Sequence, residues 1–259
     1  MPYHRVIRQQ TPLAEWHELS LLEPQAAWSD AYRPASARLL LPRSDCIEFE
    51  LHGRRFLCDS LGAVWLTPDA TYRMRQPRKG KRSMVLVVHE PQAKRGAAEV
   101  NLSAQALLVF ARWAALLRTG ALDALAFDED VAALMQVVGG QPHPSPRANH
   151  AAVERARALL SADPASAANL AQIALAACSS PFHLAREFRR QTGSSLHAYR
   201  TRLRMALAVD RIAEGERNFS ALAADLGYSS HSHFSAVFRR TFGAAPGQVR
   251  TNLTARRHR

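Results

Sequence analysis

The sequence predicts an α+β protein with two unlike parts, a small β-barrel or sandwich followed by helices that carry one helix-turn-helix twice. Three observations predict it. Between residues 36 and 92 apolar and polar residues alternate with the period of a half-buried strand, and from about residue 102 the apolar spacing becomes that of an amphipathic helix. Third, Ser179-Ser-Pro-Phe-His-Leu-Ala-Arg-Glu-Phe-Arg-Arg-Gln-Thr-Gly193 recurs as Ser229-Ser-His-Ser-His-Phe-Ser-Ala-Val-Phe-Arg-Arg-Thr-Phe-Gly243. The repeat pairs Ser180 with Ser230, His183 with His233, Phe188 with Phe238, Arg189 with Arg239, Arg190 with Arg240 and Gly193 with Gly243. A short basic helix carried twice suits a partner that itself repeats, and the major groove of DNA returns every ~34 Å.

In chain order, Ile47, Phe49 and Leu51 alternate with Glu48, Glu50 and His52 and predict a strand. His52-Gly53 marks a turn, and Arg55-Phe56-Leu57-Cys58 returns from it. Further strands are expected at Val64-Trp65-Leu66, Tyr72-Arg73-Met74-Arg75 and Met84-Val85-Leu86-Val87-Val88, parted by Gly62, Pro68-Asp69 and the basic loop Arg78-Lys79-Gly80-Lys81-Arg82. Short strands at this spacing build a small barrel or sandwich.

Ser103 can cap a helix whose Leu107, Leu108, Ala111 and Ala115 share a face, with Leu116 beside them and Gly120 as the stop. Asp128-Glu129-Asp130 opens a second helix through Val137-Val138. These two helices cover the sheet or pair with another subunit. Gly139-Gly-Gln-Pro-His-Pro-Ser-Pro-Arg147 blocks both regular patterns and is a linker. The expected organisation is therefore 1–98 regulatory β domain, 99–138 helical segment, 139–150 linker and 151–259 helical domain.

Within the first copy, Leu170, Ile173 and Ala174 mark the inner face of a short helix, Ala177-Cys178-Ser179 the turn, and Ser180 with Pro181 the start of the next helix. Leu184 and Phe188 face inward, while Phe182, Arg186, Arg189 and Arg190 lie opposite. In the second copy Phe219, Leu222 and Ala223 are inward, Gly227 sits in the turn and Phe234 and Phe238 anchor the helix. Its outward face holds Ser232, Ala236, Arg239 and Arg240. The offset is 49 in the first helices and 50 in the second, so the second turn is one residue longer. Leu196 to about Ala213 reads as one connecting helix of roughly 27 Å, the scale on which two helices reach successive grooves. Arg200, Arg202 and Arg204 near its start suit phosphate contact and a solvated basic face equally well.

Charge supports this division. The formal net charge is +12, and residues 148–259 hold 16 Arg and no Lys against 7 acids, +9 of it. A concentrated basic region is the footprint of phosphate binding. Three cysteines, Cys46, Cys58 and Cys178, in no CxxC spacing, argue for a reducing cytosol and against a cysteine zinc site. The absence of an apolar run of about 18 residues argues against a membrane span, and the opening residues lack the apolar stretch of a secretory signal.

Two helix-turn-helix copies bridged by a helix and followed by Gly243-Ala-Ala-Pro246-Gly-Gln-Val-Arg250 resemble the AraC/XylS family of bacterial transcription regulators. The resemblance is carried best by Leu222-Ala-Ala-Asp-Leu-Gly-Tyr-Ser-Ser-His-Ser-His-Phe-Ser-Ala-Val-Phe-Arg-Arg-Thr-Phe-Gly243 with Pro246 and Arg250, and covers about 151–251. It implies a cupin-like β-barrel in the amino-terminal part that binds an effector or mediates dimerisation. It further implies double-stranded promoter DNA as partner, with RNA polymerase and a homodimer through residues 99–138 as additional ones. By position it places base reading on Phe182, Ala185 and Arg186 in the first copy, and on His231, Ser232 and Ser235 in the second. Arg186 suits a bidentate contact to guanine. The family often has a long polar side chain where this chain has Ala236, so the first copy is expected to specify and the second mainly to position. Arg189, Arg190, Arg239 and Arg240 are expected phosphate clamps, with the backbone amides at Ser180 and Ser230.

An apolar barrel lined by Phe49, Phe56, Trp65 or Tyr72 could hold a small-molecule effector or could be plain core. Enzyme readings are weak. His52 and His89 stand alone, residues 1–150 contain no His-x-His pair, and there is no nucleophile elbow, P-loop or dinucleotide fingerprint, so no catalytic residue, metal or cofactor is expected. A DNA-repair protein with this module would need a four-cysteine zinc site that three scattered cysteines do not supply. A non-specific architectural DNA binder stays open, because phosphate contacts dominate both kinds of binding.

Overall fold

A computed structural model describes residues 3–21, 24–43, 45–76, 82–89, 96–139 and 151–255. Nine strands come first: β1 (Tyr3–Gln10), β2 (Ala14–Leu21), β3 (Ala37–Pro42), β4 (Cys46–Leu51), β5 (Arg54–Asp59), β6 (Gly62–Leu66), β7 (Tyr72–Arg75), β8 (Arg82–Val88) and β9 (Ala98–Asn101). All the pairings are antiparallel and make two sheets, of order β1-β2-β8-β3-β6-β9 and β5-β4-β7. The cupin-like barrel is thus an open pair of packed sheets. Every strand expected from alternation is present, and β1, β2, β3 and β9 are additional. His52 (φ 52°) and Gly53 (φ 72°) form the predicted two-residue turn between β4 and β5. Both central residues take positive φ, as a turn matching the strand twist requires.

Strand alternation divides the larger sheet into two faces. Leu40, Val64, Leu66, Val85 and Val87 face the smaller sheet and pack on Ile47, Phe49, Leu51 and Cys58. On the other face Trp16, Leu39, Leu41, Trp65 and Leu86 pack under helices. The cover is α1 (Ala104–Arg118) and α2 (Ala124–Gly139). Ser103 caps α1 as expected, its hydroxyl accepting from the Ala106 amide at 3.1 Å. Trp16 stacks on Phe110 at 5.6 Å and meets Trp113 edge-on at 5.0 Å. Burying each such ring contributes about 1.5–3 kcal/mol.

Helix α2 starts before the predicted Asp128-Glu129-Asp130, with Asp123 accepting from the Ala126 amide at 3.0 Å. The acids expected at its start serve tertiary contacts instead: Thr11 donates to Asp128 at 2.6 Å, and Trp113 Nε1 to the buried Asp130 at 3.0 Å. The expected linker beyond Gly139, and residues 78–81 of the expected basic loop, lie outside the described residues.

The helical part contains α3 (Ala151–Ala162), α4 (Leu170–Ala176), α5 (Pro181–Thr192), α6 (Leu196–Ala213), α7 (Phe219–Asp225), α8 (His231–Phe242) and α9 (Pro246–Thr254). It is joined to the sheets by a continuous apolar core that runs from Trp16 and Leu86 through Phe110 to Met205, Phe238 and Leu253. Among the described residues no helix is long and apolar enough to cross a membrane.

Candidate nucleic-acid interface

Local chemistry builds the two helix-turn-helix units. Asn169 and Gln172 form a capping box at α4, and Asn218 caps α7 by accepting from the Ala221 amide. Ser180 and Ser230 cap α5 and α8, accepting from the His183 and His233 amides at 3.4 and 3.2 Å. Gly193 (φ 72°) and Gly243 (φ 79°) end these helices in the left-handed conformation. Leu184 and Phe188 are buried beneath α5, and Phe234, Val237 and Phe238 beneath α8. The bridging helix α6 has the predicted bounds and buries Tyr199, Leu203 and Val209.

The solvent faces differ. On α5, Phe182 is 90% exposed and the Arg186 side chain 73% exposed, while Ala185 is half-buried. Arg186 lies 3.3 Å from His183 Nδ1, and Arg190 is bound to Glu187 at 2.6 Å. On α8, His231, Ser232, Ala236, Arg239 and Arg240 are exposed. Ser235 is half-buried and 3.3 Å from His231 Nε2. Arg189 is exposed as well. The Ser180 and Ser230 hydroxyls are occupied as caps, which leaves the helix-start amides to meet an anion. Leu170, expected on the inner face of α4, is 38% exposed, and Leu175 is 80% exposed.

Two of the three arginines at the start of α6 are staples. Arg200 donates to the Ser166 and Ala168 carbonyls at 3.1 and 2.8 Å. Arg204 donates to the Pro164 carbonyl at 2.7 Å and lies 5.4 Å over the Tyr228 ring. They tie the loop before α4 to α6 and to the second turn, and Arg202 alone is exposed. In α3, Arg155 reaches the Ala177 carbonyl in the first turn at 2.7 and 2.9 Å.

A buried ionic hub, not anticipated from the sequence, fastens α3 and α6 to the sheets. Arg157 donates to the Tyr199 hydroxyl at 3.0 Å and lies 3.3, 3.5 and 3.7 Å from Glu154, Glu99 and Asp59. Asp59, fully buried in β5, accepts from the Tyr199 hydroxyl and, at 3.2 Å, from Ser161. Glu154 accepts from the Leu57 amide at 2.9 Å. Burial opposes charge on Arg157, yet Tyr199, Asp59, Glu154 and Glu99 more than offset it and hold the guanidinium well above its ordinary range. Burial pushes the Glu99 and Glu154 carboxyls up despite Arg157. At the other end of α6, Asp210 pairs with Arg43 and Glu214 with Arg82. Burial lowers Arg43 to about 10.

Among the described residues, two cavities lie near the sheets. One of 560 Å³ opens where β1, β2 and β8 meet α1 and the end of α6. The other, of 140 Å³, lies between the two sheets. Of the expected effector residues, Tyr72 lines the smaller one. Phe49 and Phe56 stack at 5.7 Å in the core between the sheets. Trp65 points to the opposite face of its strand, among residues packed under the helices, because alternation sends its neighbours Val64 and Leu66 inward.

A family profile described as a helix-turn-helix domain matches residues 173–252. The regulatory protein SoxS of Salmonella typhimurium is 39% identical over 74 residues, 29% of this chain and 69% of that protein. A protein of Streptomyces antibioticus described as an AraC-like transcription regulator is 36% identical over 98 residues, 38% of this chain and 32% of its own length. The match thus spans about a third of that relative. Among solved structures, ToxT of Vibrio cholerae with a bound unsaturated fatty acid aligns over 98% of this chain and 100% of its own, at 13% identity and a TM-score of 0.39. The duplicated, capped and bridged helix-turn-helix defines a DNA-binding module, and the chain belongs to the AraC/XylS family of transcription regulators.

Proposed function

We propose that the chain is a sequence-specific, effector-responsive regulator that sets α5 and α8 into two successive major grooves of promoter DNA in the bacterial cytoplasm. One observation carries this reading: two recognition helices, each with an exposed polar and basic face, are held by a single 18-residue helix. At 1.5 Å per residue that helix is roughly 27 Å long, close to the groove repeat. Phe182, Ala185 and Arg186 read bases in the first groove, and Arg186 supplies the guanine contact. His231, Ser232 and Ser235 read weakly in the second. Arg189, Arg190, Arg239 and Arg240, with the amides at Ser180 and Ser230, hold phosphates. The sheets sense a small molecule and bias the helical part through α1 and the Arg157 hub.

The test is recovery of genomic fragments by the purified protein at near-physiological salt, each winner then competed against random duplex. A recurring pair of boxes about one helical turn apart is the expected result. Uniform recovery would instead leave an architectural, sequence-indifferent binder.

A further inference from the structure

The cavity between the sheets bears on what the sensor half takes, and the inference rests on the reading that this half is a sensor. Strand alternation puts Arg38 on the same face as Leu40, because Leu39 and Leu41 are committed to the face under the helices. Arg38 thereby lines the cavity with Arg5 and Arg75, against the apolar Leu40, Ile47 and Val85. Among the described residues no Asp or Glu lines it. A guanidinium beside apolar walls is costly unless it is paired.

Two of the three cations are accounted for. Arg75 is held by Glu48 at 2.6 Å and lies 5.0 Å over the Trp28 ring. Arg5 lies 3.8 Å from Glu15. For Arg38, Nε donates to the Ser36 carbonyl at 3.2 Å, and among the described residues no carboxylate lies within ion-pair distance. A second unmatched group lies on a residue lining the same cavity: the Gln76 amide nitrogen is buried without an acceptor. His17, also in the lining, adds no further cation at neutral pH, because burial, with Arg5 and Arg38 nearby, outweighs Glu15 and holds its ring below the usual range. Among the described residues the cavity therefore offers one positive charge without a carboxylate partner, one spare amide donor and an apolar wall. Its 140 Å³ is close to the engineered apolar cavity of about 150 Å³ that takes up benzene.

We propose that the inter-sheet cavity binds a small organic monocarboxylate with a compact apolar body of about five or six ring atoms. Its carboxylate sits on the Arg38 guanidinium and the Gln76 amide, and its body lies against Leu40, Ile47 and Val85.

Calorimetric titration of the full chain with cyclopentanecarboxylate and its neutral isostere cyclopentanecarboxamide tests this directly. The carboxylate should bind saturably and the amide at least about ten-fold more weakly, the size of one charge-assisted contact. Arg38→Met should remove that discrimination without lowering the melting temperature of the unliganded protein, since the charge it deletes is unmatched. Gln76→Leu should weaken the carboxylate by a smaller factor. Equal affinity for carboxylate and amide would overturn the proposal, as would discrimination that survives Arg38→Met. So would the absence of binding at millimolar concentration across cyclopentane-, cyclohexane- and 3-methylbutane-type carboxylates. Fragment recovery by the unliganded protein is scored separately. Selective recovery without carboxylate binding sinks the ligand class alone, and carboxylate binding with uniform recovery sinks the regulator alone.

Discussion

The two helix-turn-helix units share seven matched positions in their second helices and turns but sit in different surroundings. The first, α4 with α5, packs on α3, and α3 reaches the sheets through the polar Arg157 hub. Its turn runs through Cys178 at φ 53°, its exposed face carries Phe182 and Arg186, and Glu187 engages Arg190. The second, α7 with α8, is backed by α9 and by α1, so its link to the sheets is apolar. Its turn uses Gly227 at φ 74°, its exposed face is small, and the position matching Glu187 is the buried Val237. One sequence pattern thus builds a unit with a large exposed aromatic and arginine and a unit whose exposed face is small. The sheets grip each through a different kind of contact.

The largest effect should come from the polar grip. Arg157→Met leaves Asp59, Glu99 and Glu154 buried without their shared cation and should cost about 3–5 kcal/mol in urea unfolding at pH 8. Glu99 and Glu154 already have carboxyls raised by burial, so each favours the folded state when protonated, and that contribution is lost as pH rises through the folded value. The deficit should therefore shrink as pH is lowered toward 5.5. A loss that does not depend on pH would mean that the hub acts by packing alone.

The turns come next. A Cβ on Gly227 would lie 2.6 Å from the Ala165 carbonyl oxygen and 2.9 Å from Arg204, in a left-handed backbone. Gly227→Ala should cost about 2–4 kcal/mol, the left-handed penalty plus overpacking. Cys178 tolerates the same backbone region in an exposed position. Cys178→Gly should relieve about 1–2 kcal/mol of strain against about 0.5–1 kcal/mol of added chain entropy, a net gain of up to about 1.5 kcal/mol. Equal and opposite shifts in melting temperature would show that the surroundings of the two turns do not matter.

Reading should separate the units on a third axis. Arg186→Ala is expected to lose about 1–3 kcal/mol of discrimination at one base position, and Ser232→Ala less than about 1 kcal/mol, in competition titrations on a selected duplex. Equal relaxation by both would put base reading on both units and end the division of labour.

What was legible in the sequence follows from the range of the interactions involved. Caps, the proline at the start of α5, the turn glycine and the bounds of α6 are written in residues within a few positions of each other, so α4 to α9 could be read directly. Strands β1 and β2 were missed because their inward positions include Arg5 and His17, cavity-lining residues that break the apolar alternation. Arg200 and Arg204 read as surface charges, and only the fold reveals the carbonyls of residues 164–168 beneath them. The hub joins Asp59 to Tyr199, 140 positions apart, and no local pattern announces it. Trp65 was misplaced for the opposite reason: β6 is buried on both faces, and hydrophobicity alone does not say which face meets the cavity.

The smallest predicted effect tests whether the two phosphate clamps are equivalent. Arg190 is engaged by Glu187 through two nitrogens, at 2.8 and 2.6 Å, and that hydrogen bond, with the neighbouring charges, holds the Glu187 carboxyl below its usual range. Glu187 therefore stays ionised at neutral pH and pairs with Arg190, whereas the position three before Arg240 is the buried Val237. Arg240→Ala should flatten the dependence of log affinity on log salt by about one unit, as removal of one phosphate contact does. Glu187→Gln should do the reverse, freeing Arg190 and steepening the dependence by up to about one unit. If Glu187→Gln leaves the slope unchanged, Arg190 makes no phosphate contact even when released. The clamp would then belong to the second unit, consistent with a first helix that reads and a second that holds.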